Sequence, residues 1–548
     1  MLICSLTLTT AGCSLRSRPL IRYNISQGVQ NLDPQFAQQP NELLVVLNCF
    51  EGLFRLDENG TVVPAAVERY LLSQDRCTYT FYLKENLQWS DGIALTAHDF
   101  VFAFQRLFQT SSPAPNAQDF IGIRNASAVL EGSLPVSQLG VKALDDHTLQ
   151  ITLEQPDLFF TELLTTAAAM PCREDFFHGC NGRYGLSLST LIFNGPYTVG
   201  SWNNDKYIGL FPNESYAASG SLPVCTVYLY TTRPQEENLS LLLEDRGDGG
   251  PVYYSDLSQL EGGDFSVYTF ENTVYLLLFN QQIPQLQNQN IRLGMAYAFN
   301  RQLFQPYLEN NLTLTNLILP PTTSIQGQPY RELVSVPGIL YDSATAQRYF
   351  SDGLSELGIS KLSKSTLICL DTGPHKMLSG FIQQQWQNDL NLYVNTEALS
   401  ASDFYARIAS GDFEMAIVPF TMSQSNPGVF LSQLLDYLPE TSVQNPDQQN
   451  LENETEPLTP TSSIHQDLTK LQSDLSAARQ AQTPKQAAQY FAQAESLLLE
   501  KGYVIPLYFE SSYFAISSRF EDVIFTPFSG SIYFHQAWEN NNSPSSLF

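Results

Sequence analysis

Long hydrophobic runs are missing from this chain. None reaches the roughly 18 residues that a membrane-spanning helix requires, so no such helix is expected. Basic residues are scarce: 28 Lys and Arg stand against 55 Asp and Glu, a formal charge of −27. A surface of that sign is repelled by nucleic-acid phosphates and anionic headgroups, which excludes nucleic acid as a partner. The simplest role of the acidity is solvation. Metal-ligand patterns are also absent. The six histidines, at 98, 147, 178, 375, 465 and 535, are scattered, and no pair has the spacing of ligands on one helix face. Catalytic signatures are missing too, with neither a G-x-S-x-G elbow nor an H-E-x-x-H helix, and no acid–base pair can be picked out of 55 carboxylates. A non-enzymatic protein without metal or cofactor is therefore expected.

What the chain does have is length and apolar content. Its 548 residues are 43% hydrophobic and 12% aromatic, enough for two or three lobes with their own cores. Met1 to Cys13 is a short apolar stretch ending in small residues and a cysteine. Thr10-Ala11-Gly12-Cys13 resembles the cleavage box of bacterial lipoproteins, which implies lipidation of Cys13 as the new N-terminus. Leu is usual where Thr10 stands. The basic n-region of such signals is missing, and a start upstream of Met1 would supply it. Buried acyl methylenes would hold an acidic protein at a surface that otherwise repels it. Beyond Cys4 and Cys13 lie Cys49, Cys77, Cys172, Cys180, Cys225 and Cys369. An exported protein could oxidise them, and Cys172 and Cys180 are close enough to close a small loop as a disulfide.

Strand and helix signals alternate along the chain, which predicts α/β or α+β lobes. Residues 14–20 read as a tether and 21–25 as a first strand. Residues 42–54 have helical apolar spacing. Asn59-Gly60 marks a turn between extended segments, and Thr78 to Leu83 alternates as a strand. Thr96 is a good N-cap for a helix through Phe108, with Asp99 at its third position and Phe100, Phe104 and Leu107 on one face. Thr483-Pro484 opens a helix that Gly502 ends, its apolar face formed by Tyr490, Phe491, Ala494, Leu497 and Leu498. A strand over 504–509 follows. The stretch 437–461 carries acids and prolines without a base, and reads as a mobile surface insertion.

Ordered blocks carry a resemblance. Pro64-Ala65-Ala66-Val67-Glu68 precedes Tyr79-Thr80-Phe81-Tyr82-Leu83-Lys84 and then Trp89-Ser90-Asp91-Gly92, with Leu95-Thr96-Ala97-His98-Asp99-Phe100-Val101 after it. Asn194-Gly195-Pro196-Tyr197, Asn213-Glu214-Ser215-Tyr216, the stretch Ile291 to Arg301, Phe381 to Trp386 with Leu390, Gly411 to Met415 and Tyr503 to Tyr508 follow in order. This series resembles family 5 of the extracellular solute-binding proteins, the oligopeptide-, dipeptide- and nickel-binding lipoproteins of ABC transporters. It covers roughly residues 20 to 540. Most of these residues read as architectural: Trp89 suits a core better than a ligand contact, and Asn194-Gly195-Pro196 suits a turn.

The resemblance implies an α/β, two-lobed periplasmic-binding-protein-like fold of class II, cluster C type, with an extra inserted lobe and a two-strand hinge. Residues 20–48, 190–273 and 510–548 would form lobe I, 49–189 the inserted lobe II, and 274–509 lobe III. Lobe closure on an oligopeptide would present it to permease subunits in the membrane, with the protein a lipid-anchored monomer at the outer face. A peptide-sensing receptor or an oligosaccharide binder would fit the same scaffold. The family's amine-binding Asp lies in a segment that here reads Phe420-Thr421-Met422-Ser423-Gln424-Ser425-Asn426-Pro427, and Ser423 takes the Asp position. Asn116 stands where peptide binders often carry Tyr, and Gln38 matches a ligand-proximal position of the first lobe. The implied ligand-binding set is Gln38, Asn116, Phe420, Thr421 and Ser423, none of them charged.

Overall fold

The computed structural model describes residues 18–25, 27–57, 60–109, 111–203, 206–216, 224–309, 311–437, 463–526, 528 and 532–540. The signal segment with Cys13, Asn59 of the expected turn, and residues 438–461 of the acidic insertion lie outside them.

Alternation builds the first strand. In Leu20–Asn24 the side chains of Ile21 and Tyr23 are buried, while Leu20 and Arg22 between them are half-open. The strand pairs in parallel with Thr226–Tyr230 and joins an 11-stranded mixed sheet. In order across the sheet run Val394–Leu399, Ser365–Leu370, Met415–Thr421, Phe265–Phe279, Val504–Ser517, Gly249–Val252, Leu20–Asn24, Thr226–Tyr230, Tyr207–Pro212 and Tyr197–Asn203, with Leu312–Leu314 paired to Val504–Ser517 off this path.

Two of these strands are unusually long. Phe265–Phe279 has 15 residues and Val504–Ser517 has 14, and they pair antiparallel over nearly their whole length. Their far ends serve different lobes. One end lies beside Gly249–Val252 in the first lobe, and the other beside Met415–Thr421 in the second. They are the two-strand connection of a two-lobed fold. The extended stretch expected over 504–509 therefore continues for eight more residues, to Ser517. The extra length is held by pairing with a strand more than 230 positions away, which local alternation does not show.

A separate four-stranded antiparallel sheet holds Val67–Leu72, Thr78–Leu83, Thr148–Thr152 and Val141–Asp145 in that order, the centre of the inserted lobe. The helix Ala97–Leu107 packs on it and buries Phe100, Phe104 and Leu107 completely. The Asp99 carboxylate accepts the Thr96 N–H at 2.8 Å, closing the N-terminus as expected.

The helix expected over 42–54 is shorter and earlier, Pro40–Cys49. Pro40 supplies a preset φ at the first turn, and the Glu42 carboxylate takes the backbone N–H of Asn31 at 3.0 Å and of Gln38 and Gln39 at 3.2 Å. Its end is decided from outside. Asn194 Nδ2 donates to the Glu51 carbonyl at 2.7 Å, and the Gly195 N–H donates to the Cys49 carbonyl at 2.9 Å. A Cβ on Gly195 would lie 2.6 Å from the Cys49 carbonyl carbon, so glycine is required there by close approach of two backbones. Chain beyond Cys49 turns extended, and Phe54–Leu56 pairs with Val62–Pro64 across the Gly60 turn.

The other blocks are architectural as read. Trp89 and Trp386 are fully buried. Arg292 is buried and donates to the carbonyls of Leu286, Gln287 and Lys501, each at 2.8 Å, so one guanidinium closes the ends of two segments. The helix Pro484–Glu500 is capped by Thr483, whose hydroxyl accepts the Gln486 N–H at 3.2 Å. Phe491, Ala494 and Leu498 are fully buried, while Tyr490 and Leu497 are half-open at the stripe's edges.

The Cys172–Cys180 disulfide does not form in the structure: both are free thiols within one small apolar cluster. Cys172 Sγ instead accepts from the Arg106 guanidinium at 3.3 Å. Burial pushes its thiol up to about 12, against the pull of Arg106, which keeps it an unreactive SH.

Candidate functional site

Three distant parts of the chain converge on one cavity of about 480 Å³. From the first lobe come Gln38, in the turn that Glu42 holds, and the outer face of helix Pro40–Cys49. From the inserted lobe comes the 3₁₀ turn Pro115–Phe120. Residues three apart eclipse in such a turn, so Asn116 and Asp119 share the edge facing the cavity, while Ala117 and Phe120 are buried behind it. The short helix Phe160–Leu163 adds Glu162, and Thr165 and Thr166 follow it. The hydroxyls of these threonines donate back to the carbonyls of Glu162 and Leu163 at 2.7 and 2.8 Å, which ends the helix. From the second lobe comes the loop Ser423-Gln424-Ser425, between strand Met415–Thr421 and helix Pro427–Leu435. Asn426 caps that helix by accepting the Gly428 N–H at 2.8 Å, which fixes where the loop ends.

Gln38, Asn116 and Ser423 thus face one space, although nearly 400 positions separate the first from the last. Thr421 does not line it. Its hydroxyl pairs with that of Thr273 at 2.8 Å, and it lines an adjoining cavity of about 210 Å³ that holds Asn272 and Ser512 of the two long strands. Pro40 and Phe528 wall both spaces. Phe420 lines neither. It is buried in the second lobe's core, its ring edge-on to Phe430 at 6.0 Å and Tyr437 at 5.2 Å. Successive strand residues point to opposite faces, so Thr421 and Phe420 cannot both reach the cleft.

The cavity also contains what the motif reading missed. Glu162 is only 7% exposed, and its Oε1 accepts from the Ser425 hydroxyl at 2.6 Å, a contact between inserted lobe and second lobe. Burial pushes its carboxyl up to about 7, Ser425 pulls the other way, and the charge of Asp157 adds to the rise. Asp119, exposed on the cavity wall, is also raised by the protein around it, against the pull of Arg479. The one local sign of Glu162 was a lone acid inside the apolar run Leu158 to Leu164. Among the described residues, no three His, Cys, Asp or Glu side chains group as metal ligands do.

Residues 61–440 match the profile of the bacterial extracellular solute-binding proteins, family 5, middle region. The chain belongs to this family. It is 34% identical to a binding protein of Haemophilus influenzae over 76% of this chain and 75% of that one. It is 25% identical to the periplasmic oligopeptide-binding protein OppA of Salmonella typhimurium, over 78% and 79% of the two chains. The murein tripeptide binding protein MppA of Escherichia coli has the same fold, with a TM-score of 0.71, 22% identity, and 95% and 98% of the two chains covered. Members of the family are extracellular or periplasmic solute-binding proteins, and no helix among the described residues is long and apolar enough to cross a membrane.

Proposed function

We propose that this chain is the capture protein of an ABC importer, closing its lobes on an oligopeptide and delivering it to a membrane permease. The observation that carries the reading is the cavity whose walls come from all three lobes, so that a ligand there is held only while the lobes are together. Gln38, Asn116 and Ser423 offer neutral donors and acceptors suited to an extended peptide backbone, which tolerates many side chains. Binding alone meets this role, and no covalent step is required. The lobe boundaries that go with it are 20–48, 190–273 and 510–548 for lobe I, 49–189 for lobe II and 274–509 for lobe III.

Calorimetric titration of the purified chain with di- to pentapeptides should show saturable binding with a negative heat-capacity change. Binding of oligosaccharides without any peptide would instead favour the hydroxyl-binding use of the same neutral groups. Transport into cells that lose uptake on deletion of the chain separates an importer from a peptide-sensing receptor.

Lipidation of Cys13 and a monomeric state belong to the same proposal. Cys13→Ala should move the protein from the membrane fraction to the soluble one, since one cysteine would carry the whole anchor. Unchanged membrane retention would contradict the anchor while leaving the binding role intact.

A further inference from the structure

Among the described residues, Glu162 is a buried acid without a cationic partner. Its carboxylate has one hydrogen-bond partner among the described residues, Ser425 on Oε1, and no ion pair. The second oxygen, Oε2, accepts nothing there, and the residue lines the interlobe cavity. Oε2 is not among the oxygens sealed from solvent without a partner, so it keeps access to the space beside it, and a carboxylate largely stripped of water favours a donor there.

The surroundings specify the donor's charge. No Lys, Arg or His lines this cavity among the described residues, whereas Asp119 adds a second carboxylate to its wall. The nearby bases are engaged elsewhere. Arg479 faces Asp157 at 2.7 Å, and Arg55, on the strand packed against the Glu162 helix, faces His535 at 2.6 Å. Asp157, beside that helix, opposes ionisation of Glu162. Among the described residues, the charged side chains that line the cavity, Glu162 and Asp119, are thus both acids, and a cationic group would relieve them.

We infer that Glu162 is the specificity-determining cation receptor of this site, taking a protonated primary amine of the ligand against its free oxygen, with Ser425 as the positioning residue. The inference rests on the proposed solute capture and names the ligand's chemistry: ammonium-bearing peptides are favoured over N-acylated or anionic ones. It assigns to the inserted lobe the charge that Ser423, an uncharged hydroxyl, cannot supply. The ammonium can be an N-terminus or a lysine side chain, and the probes below separate them.

The test titrates the full chain and its Glu162→Gln variant with trialanine, N-acetyl-trialanine and N-acetyl-Ala-Lys-Ala. Charge-assisted hydrogen bonds are about twice as strong as neutral ones, so the variant should lose about tenfold or more in affinity for an ammonium-bearing probe while holding N-acetyl-trialanine within about twofold. Loss confined to trialanine marks the N-terminus, and loss confined to the lysine peptide marks the side chain. A second readout is the proton. At pH 6 the unliganded carboxyl is largely protonated, so ammonium binding should release about one proton, seen as a buffer-dependent heat that is absent in Glu162→Gln. Should that variant fail to fold, wild-type affinity for at least one ammonium-bearing probe, trialanine or N-acetyl-Ala-Lys-Ala, should fall by up to about tenfold per unit as pH drops below 7, with N-acetyl-trialanine flat; two flat ammonium-bearing curves would overturn the inference.

Equal affinities of wild type and variant for all three probes, with no proton released, would overturn the inference while leaving peptide capture standing. If no peptide binds wild type, the peptide reading falls. Putrescine against its diacetyl form then decides: binding of the amine that Glu162→Gln loses supports the receptor, and no amine binding overturns it.

Discussion

Arg106→Met is expected to cost about 3–5 kcal/mol of stability, because it removes one partner of a buried ion pair and leaves the other charge behind. Arg106 is 4% exposed and Asp33 6%. The guanidinium donates to both Asp33 oxygens, at 2.5 and 3.2 Å, to Gln35 Oε1 at 2.5 Å and to Cys172 Sγ, and lies 4.1 Å over the Phe177 ring. Gln35 in turn donates to the Met170 carbonyl at 2.8 Å. One side chain thus ties the turn before Gln38 to the inserted lobe's helix and to the segment at 170–172. Burial already raises the Asp33 carboxyl, and Arg106 is the main force holding it down. Without Arg106 the acid must be protonated, at a cost, or drag water inward. Asp33→Asn together with Arg106→Met should recover much of the loss, since the penalty lies mostly in the stranded charge. Denaturant unfolding of the single and double variants checks this; a double variant weaker than the single one would contradict it.

The second large effect is in the pH dependence of stability. In the folded protein Glu162 titrates near 7, against an ordinary value of 4.5. Between those values the folded state binds the proton and the unfolded state has lost it. The Glu162 contribution to stability therefore falls as pH rises from about 4.5 to about 7, and is level above that. A shift of this size is worth about 3 kcal/mol. Subtracting the curve of Glu162→Gln from that of wild type isolates this contribution from the other carboxylates. The difference should grow across that window, leaving the variant the more stable protein at pH 8. A difference that does not change with pH would show that the carboxyl ionises freely in the fold. This property also serves the site: an acid that is costly to ionise alone is one whose anion is strongly favoured by a bound ammonium.

Gln38, Asn116 and Ser423 were legible because they occupy known places in an ordered motif series, and the structure brings all three to one cavity. Phe420 and Thr421 came from the same segment, but strand alternation separates their faces, and only Thr421 opens to the cleft. Glu162 and Asp119 were not legible. Each is one acid among 55; the apolar run Leu158 to Leu164 around Glu162 hints at burial, but nothing local says that Glu162 and Asp119 line one wall.

By itself, the sequence determined the acidic surface, the absence of a long apolar run, the capped helices Ala97–Leu107 and Pro484–Glu500, and the family. These depend on composition, on residues a few positions apart, or on the order of short blocks, all local to the chain. Only the tertiary structure decided where Pro40–Cys49 stops, how far Val504–Ser517 runs, that Cys172 faces a guanidinium and not Cys180, and where the charge of the cleft resides. Each of these is set by a partner far along the chain: Asn194 and Gly195 against Cys49, Phe265–Phe279 against Val504–Ser517, Arg106 against Cys172, Ser425 against Glu162. Burial is what gives such contacts their weight, because it removes the water that would otherwise satisfy the same groups.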